Sequence, residues 1–216
     1  MKLSSEQFQQ WEHKSITFLG MSGVGKTYIS NILRNNEWFH YSGDYRIGTR
    51  YMSEPILDNI KSQAMQVPFL KDLLCSDSIY ISNNITVDNL QPLSTFLGML
   101  GDPDLGGLNL AEFKRRQKLH LDAEIKAMKD VPAFAEKAKT IYGYDHFLND
   151  ASGSFCEIDD QSVIESIALN TLMVYIKTSP EDEAFLIERA ARHPKPLYYR
   201  EEFLDEQLNS YYLEHN

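Results

Sequence analysis

Cysteine is almost missing from this chain. Cys75 and Cys156 are too few and too far apart for a disulfide framework, and neither stands beside a histidine pair. Both are expected as buried free thiols, and a cysteine-based metal centre is not expected. Long apolar runs are missing too, since none approaches the roughly 18 residues that a membrane span requires. The opening MKLSSEQFQQWEHKS lacks the apolar centre of a secretory leader. A soluble, cytoplasmic protein is therefore expected. Positive charge is scarce, with 21 Lys and Arg against 31 Asp and Glu and a net charge of −10. That balance argues against broad affinity for nucleic acid, which Lys and Arg mainly carry. Internal repeats and low-complexity tracts are also lacking.

What remains suits one α/β domain: 216 residues, 43% hydrophobic, enough for a core without staples and with room for an insertion. SITFLG (Ser15–Gly20) is a short apolar run ending at glycine, as a buried parallel strand reads. Lys26–Asn35 places Ile29, Ile32 and Leu33 on one helical face. Trp38–Ser42 reads as a second strand that opens into a helix or turn at Gly43–Asp44. From Pro55 to about Leu74 the pattern is loosely helical, and SIYIS (Ser78–Ser82) reads as a strand. Residues from about 83 to 144 read as an inserted helical region, with a helix at Pro92–Leu100 broken by GDPDLGG. NLAE has the form of a capping box, Asn109 capping and Glu112 reaching back, for a helix that runs to Lys129. HFLND (His146–Asp150) is a third strand, and TLMVYIKTS (Thr171–Ser179) a fourth. PEDEAFLIERAAR follows as a helix with Pro180 in its first turn. Strands alternating with helices predict a mainly parallel sheet between helical layers.

GMSGVGKT, from Gly20 to Thr27, carries the chemistry. Gly20-x-x-x-x-Gly25-Lys26-Thr27 is the phosphate-binding loop pattern, and Gly23 adds freedom within it. Glycine permits the backbone angles and the close approach by which successive N–H groups meet phosphate oxygens. The helix that follows adds its N-terminal dipole. Ser22, Val24 and Tyr28 belong to the same cradle. Lys26 is expected on the β- and γ-phosphates, and the Thr27 hydroxyl on Mg²⁺. The plainer reading, a glycine-rich surface turn beside an exposed lysine, does not account for an apolar strand before the motif and a helix after it. ATP and Mg²⁺ are thus the expected ligands.

No Asn-Lys-x-Asp occurs, so guanine reading is not expected. FHYSGDYRIGTR (Phe39–Arg50) resembles the shikimate-kinase and nucleoside-monophosphate-kinase group. That group's second strand ends in an Asp-x-Asp-like pair facing the phosphoryl acceptor; Ser42 and Asp44 stand at those positions. LMVYIKTSPEDEAFLIERAARHPKPL is similar to the group's strand, Ser-Pro-Glu-Glu helix and basic lid, ending here in Lys195-Pro196-Leu197. The resemblance implies a three-layer phosphate-loop NTPase fold with a lid at about 188–200, and an activity that moves the γ-phosphoryl of ATP to a small molecule or nucleotide. It implies Asp44 as general base, with Arg189 on the nucleotide and Arg192 and Lys195 on the transferring phosphoryl. It also implies Asp150, at the end of HFLND, as a carboxylate that holds Mg²⁺ through water. Family members usually add another strand after the lid, for which SIYIS is one substitute.

Each assignment has a plainer counterpart. Asp44 also suits a helix cap, Asp150 a turn, and the lid cations a solvated helix paired with Glu181, Asp182 and Glu188. Arg46 and Arg50 are candidates on the acceptor side, and Gly153 for close backbone approach. KRRQK (Lys114–Lys118) reads first as a solvated helix face, and second as a site for a phosphorylated acceptor. His40, His120, His146 and His193 share no metal spacing and read as structural or exposed. The competing function is an ATPase or nucleotide-operated binding protein that contacts a macromolecule through residues 83–144. Neither a membrane nor a nucleic acid is expected as a partner.

Overall fold

A computed structural model describes residues 3–192 and 198–215. Two compact units result, one made of Met1–Gly43 with Glu124–Asn216, the other of Asp44–Ala123. The expected helical insertion at 83–144 straddles the boundary between them.

The first unit holds an all-parallel sheet of β1 (Ser15–Leu19), β2 (Trp38–Ser42), β3 (His146–Asp150) and β4 (Leu172–Tyr175), in the order β2-β3-β1-β4. Alternation along each strand sends side chains to two faces. On one face Ile16, Phe18, Trp38 and Leu148 form a buried cluster, joined by Leu172 and Val174. Against it pack Phe8 of α1 (Ser5–Gln10) and Ile29 and Leu33 of α2 (Lys26–Arg34). On the other face Phe39 and Phe147 stack at 5.9 Å, and Tyr41 meets Phe134 of α8 (Val131–Thr140) at 5.0 Å. The Tyr41 hydroxyl donates to the Ala127 carbonyl at 2.6 Å, so the buried phenol is satisfied. Val163 and Ile167 of α9 (Gln161–Asn170) are wholly buried. Each fully buried aliphatic side chain contributes about 1.5–3 kcal/mol. Helices thus cover both faces of a parallel sheet, the arrangement its near-continuous apolar strands demand.

In the second unit, α3 (Gly43–Arg46) opens into a π-helical turn, Ile47–Tyr51, and then α4 (Ser53–Ala64), α5 (Pro68–Cys75), α6 (Gln91–Leu97) and the greater part of α7 (Leu110–Lys129). Ile47, Met52, Ile56, Leu93, Phe96 and Phe113 are buried there. The expected helix at Pro92–Leu100 ends early because Gly98, at φ 62°, turns the chain out of the helix. Asn109 caps as expected, its Oδ1 accepting from the Glu112 N–H at 2.9 Å. The Glu112 side chain turns instead to Arg115 and Arg116.

Three further expectations are corrected. SIYIS forms no strand: Ile79 and Ile81 are half-buried and Tyr80 is 87% exposed, with no ladder partner among the described residues. Cys75 and Cys156 are free but exposed, the first at the end of α5 and the second in a single helical turn, Phe155–Glu157. KRRQK is not a uniformly solvated face, because Arg116 and Gln117 are buried. Among the described residues no helix is long and apolar enough to cross a membrane.

Candidate phosphate-binding site

The sheet order decides where a ligand can sit. The chain leaves β1 for β2, on the far side of β3, and leaves β3 for β4, on the far side of β1. The connections therefore part between β1 and β3, and open parallel sheets take their ligands beyond the carboxyl ends of the strands at such a point. Register pairs Phe18 with Asp150, so Gly20 follows one strand end while Asp150 closes the other. The loop and the carboxylate meet at the switch point by topology.

The loop's backbone explains its glycines. Gly20 has φ 144°, and a Cβ there would stand 2.7 Å from the Ile176 carbonyl oxygen. Gly25 caps α2 from a left-handed conformation, φ 102°. Having no side chain, it leaves the first N–H groups of α2 to whatever anion arrives. Lys26 is only 7% exposed, and its ammonium donates to the carbonyls of Gly20 at 2.6 Å and Met21 at 3.1 Å. The cation is thereby folded back on its own loop. Ser22, Val24 and Gly23 are half-buried around it, whereas Tyr28 projects from α2 and is 73% exposed.

Across the switch point the Thr27 hydroxyl donates to Asp150 Oδ2 at 2.8 Å. The residue pair expected to hold Mg²⁺ is thus brought together. Among the described residues no group of three or more His, Cys, Asp or Glu is arranged to hold a metal ion. A cation at this place would draw its remaining ligands from water and from a phosphate. One hydroxyl and one carboxylate beside a glycine loop fit Mg²⁺, which keeps several waters and binds through few protein groups.

The other sequence candidates are placed less uniformly. Arg189, on α10 (Pro180–Arg192), donates to the Gly23 carbonyl at 3.3 Å. A Cβ on Gly23 would lie 1.9 Å from that guanidinium, so the glycine makes room for it. Arg192 is exposed and paired with Glu188 one turn earlier on the helix. Lys195 lies outside the described residues. Asp44 begins the second unit and is half-buried, as is Arg46, whereas Arg50 is exposed. Gly153 is half-buried in the turn beyond β3.

Two features were missed in the sequence. The His40 side chain is buried, with Nε2 3.6 Å from Asp150 Oδ2. Glu124 is wholly buried, and Ser154, from the turn after β3, donates to its Oε2 at 2.8 Å. Helical spacing offered a signal for Glu124, since it shares a face of α7 with Phe113, Gln117, His120 and Ala127, all buried. Nearby, although Cys156 is exposed as a residue, partial desolvation of its thiol is the first cause that pushes it up, with Glu157 adding to it and Lys26 opposing it. That thiol is not poised as a nucleophile. A separate cavity of about 490 Å³, lined by Trp11, Leu169 and Leu172 among others, lies at the amino end of β4.

No family model matches this chain, and no curated protein matches it either.

Proposed function

We propose that this chain is an ATP-dependent phosphotransferase of the phosphate-loop kinase type, moving the γ-phosphoryl of ATP to a small-molecule or nucleotide acceptor. One observation carries the reading: the Thr27 hydroxyl and the Asp150 carboxylate meet at 2.8 Å beside a glycine loop at the sheet's switch point. The pattern of residues and the divergence of strand connections are independent of each other, and both lead to the same few atoms.

In this reading the N–H groups of the loop and of the first turn of α2 hold the phosphates. Lys26 exchanges the carbonyls of Gly20 and Met21 for phosphate oxygens, trading neutral acceptors for a charge-assisted bond of about 1.5–3 kcal/mol. Thr27 and Asp150 are the residues that would hold Mg²⁺, which supplies charge neutralisation at the phosphates when bound. Arg189 exchanges the Gly23 carbonyl for a phosphate in the same way as Lys26. Asp44 is proposed to hold the acceptor hydroxyl and take its proton, while Arg192 and Lys195 stabilise the charge of the transferring group.

The test has two stages. Calorimetry should show Mg²⁺-dependent binding of ATP that Lys26→Ala weakens by roughly 10- to 150-fold. Nucleosides, nucleotides and polyols are then screened for stimulated ADP release, with the phosphorylated product identified by mass. Acceptor-dependent release establishes the kinase. Steady ADP release that no acceptor stimulates replaces it with an ATPase, and absence of nucleotide binding removes both.

A further inference from the structure

The site as described makes no use of one buried ring. His40 is the third residue of β2, its side chain 1% exposed, and neither ring nitrogen has a hydrogen-bond partner among the described residues. Burying an unmet donor is costly, so native structures rarely keep one without a use. Alternation along β2 puts His40 on the face that also carries Trp38 and Ser42, and register sets Ser42 beside Asp150. His40 itself pairs with Leu148, so the ring lies two ladder positions before Asp150 and on the same face. Its Nε2 stands 3.6 Å from Asp150 Oδ2, the same oxygen that accepts from the Thr27 hydroxyl. A ring nitrogen facing a carboxylate carries the proton, which assigns the Nε2–H tautomer.

The geometry points to His40 as a positioning residue for Asp150. At 3.6 Å the N–H is too far for a hydrogen bond, and a shift of less than 1 Å would make one. When Mg²⁺–nucleotide occupies the loop, the His40 N–H closes on Asp150 Oδ2. With two donors on one oxygen, His40 and Thr27, the carboxylate plane is held in a single orientation toward the cation's water. Metal sites commonly orient their acidic groups by such outer hydrogen bonds, and losing one weakens metal affinity by about 10- to 100-fold. The neutral ring is sufficient, so the role asks for no change of protonation. This inference rests on the nucleotide reading above, and its test separates the two.

The full chain is titrated with ADP by calorimetry, once with Mg²⁺ and once with a chelator present. The expected result for His40→Leu is a loss of about 10-fold or more in ADP affinity with Mg²⁺ and less than 2-fold without it. His40→Gln, which returns an N–H at similar reach, should recover most of the loss and covers the case in which the leucine variant does not fold. Magnetic resonance of ring-labelled histidine gives a second readout. The His40 Nε2–H signal should move on adding ADP with Mg²⁺ and stay in place with ADP alone. Equal weakening with and without metal, no rescue by glutamine, or an unmoved ring signal overturns the assignment of His40. A wild-type chain that binds no ADP under either condition overturns the nucleotide reading itself.

Discussion

Lys26 and Arg116 are each 7% exposed, yet the two buried cations are held in opposite ways. Arg116, within the Asp44–Ala123 unit, donates from Nε to Glu112 at 2.6 Å and from a terminal nitrogen to the Phe96 carbonyl. Its guanidinium lies 4.6 Å from the Phe96 ring centre. A carboxylate, a carbonyl and an aromatic face surround it, and these interactions knit α6 to α7. Lys26, in the sheet unit, rests on two carbonyls of the loop that precedes it. Carbonyls are neutral acceptors, so an incoming phosphate offers the ammonium a stronger bond. The Arg116 guanidinium meets a carboxylate and a ring, while the Lys26 ammonium meets carbonyls of the loop that would hold a phosphate. Counting basic residues cannot separate these cases; what surrounds the charge can.

The comparison can be broken most sharply at Lys26. Lys26→Ala should abolish turnover and weaken Mg²⁺–ATP binding by roughly 10- to 150-fold while the melting temperature hardly moves. A folded variant that binds and turns over normally would place Lys26 with Arg116 as a purely structural cation.

A change of pH tests the interior of α7. Burial alone holds the His120 imidazole down at about 4, against an ordinary 6.5. Between those values the unfolded chain takes up a proton that the folded chain refuses, so stability is complete above about pH 6.5 and falls as pH drops toward 4. The loss amounts to up to roughly 3 kcal/mol. Denaturant unfolding at pH 7 and pH 5 should show it, and His120→Asn should reduce the difference. Equal slopes in the two proteins would mean another group governs acid sensitivity.

Arg116→Ala should cost about 1–3 kcal/mol of stability, because it strips the ring and carbonyl contacts while Arg115 still holds Glu112. Nucleotide affinity should be untouched. Loss of binding without loss of stability would invert the contrast with Lys26.

The smallest effect on folding is expected at Arg192, whose pair with Glu188 is exposed on both sides. Arg192→Ala should shift stability by less than about 0.5 kcal/mol. Any loss of kcat is then a reading of function, and a lid role predicts roughly 10²–10³. A kcat within twofold of the parent would remove Arg192 from the transferring phosphoryl.

Local chemistry and non-local pairing divide the rest. The runs at Ser15–Leu19, Trp38–Ser42 and His146–Asp150 were legible because each is short, carries aromatic or aliphatic residues and is closed by a glycine or a polar turn. The helix Pro180–Arg192 was legible from its first-turn proline and acidic residues. SIYIS has the same β-branched and aromatic content, yet a strand exists only where another strand offers its backbone, and none among the described residues does so. Burial of Arg116, Gln117 and Glu124 was hidden for a related reason: charge suggests a wet face until a partner is known.

The amino-acid order by itself determined the glycine loop between a strand and a helix, since positive φ and an empty cap are properties of glycine and its neighbours. It also set Lys26 and Thr27 next to that loop, because they are adjacent in the chain. The resemblance offered Asp150 for the same place, but only tertiary structure brought it to Thr27 and set His40 beside it. Asp150 and His40 lie on separate strands, and a parallel sheet brings their ends together through register and crossover, which no local pattern encodes.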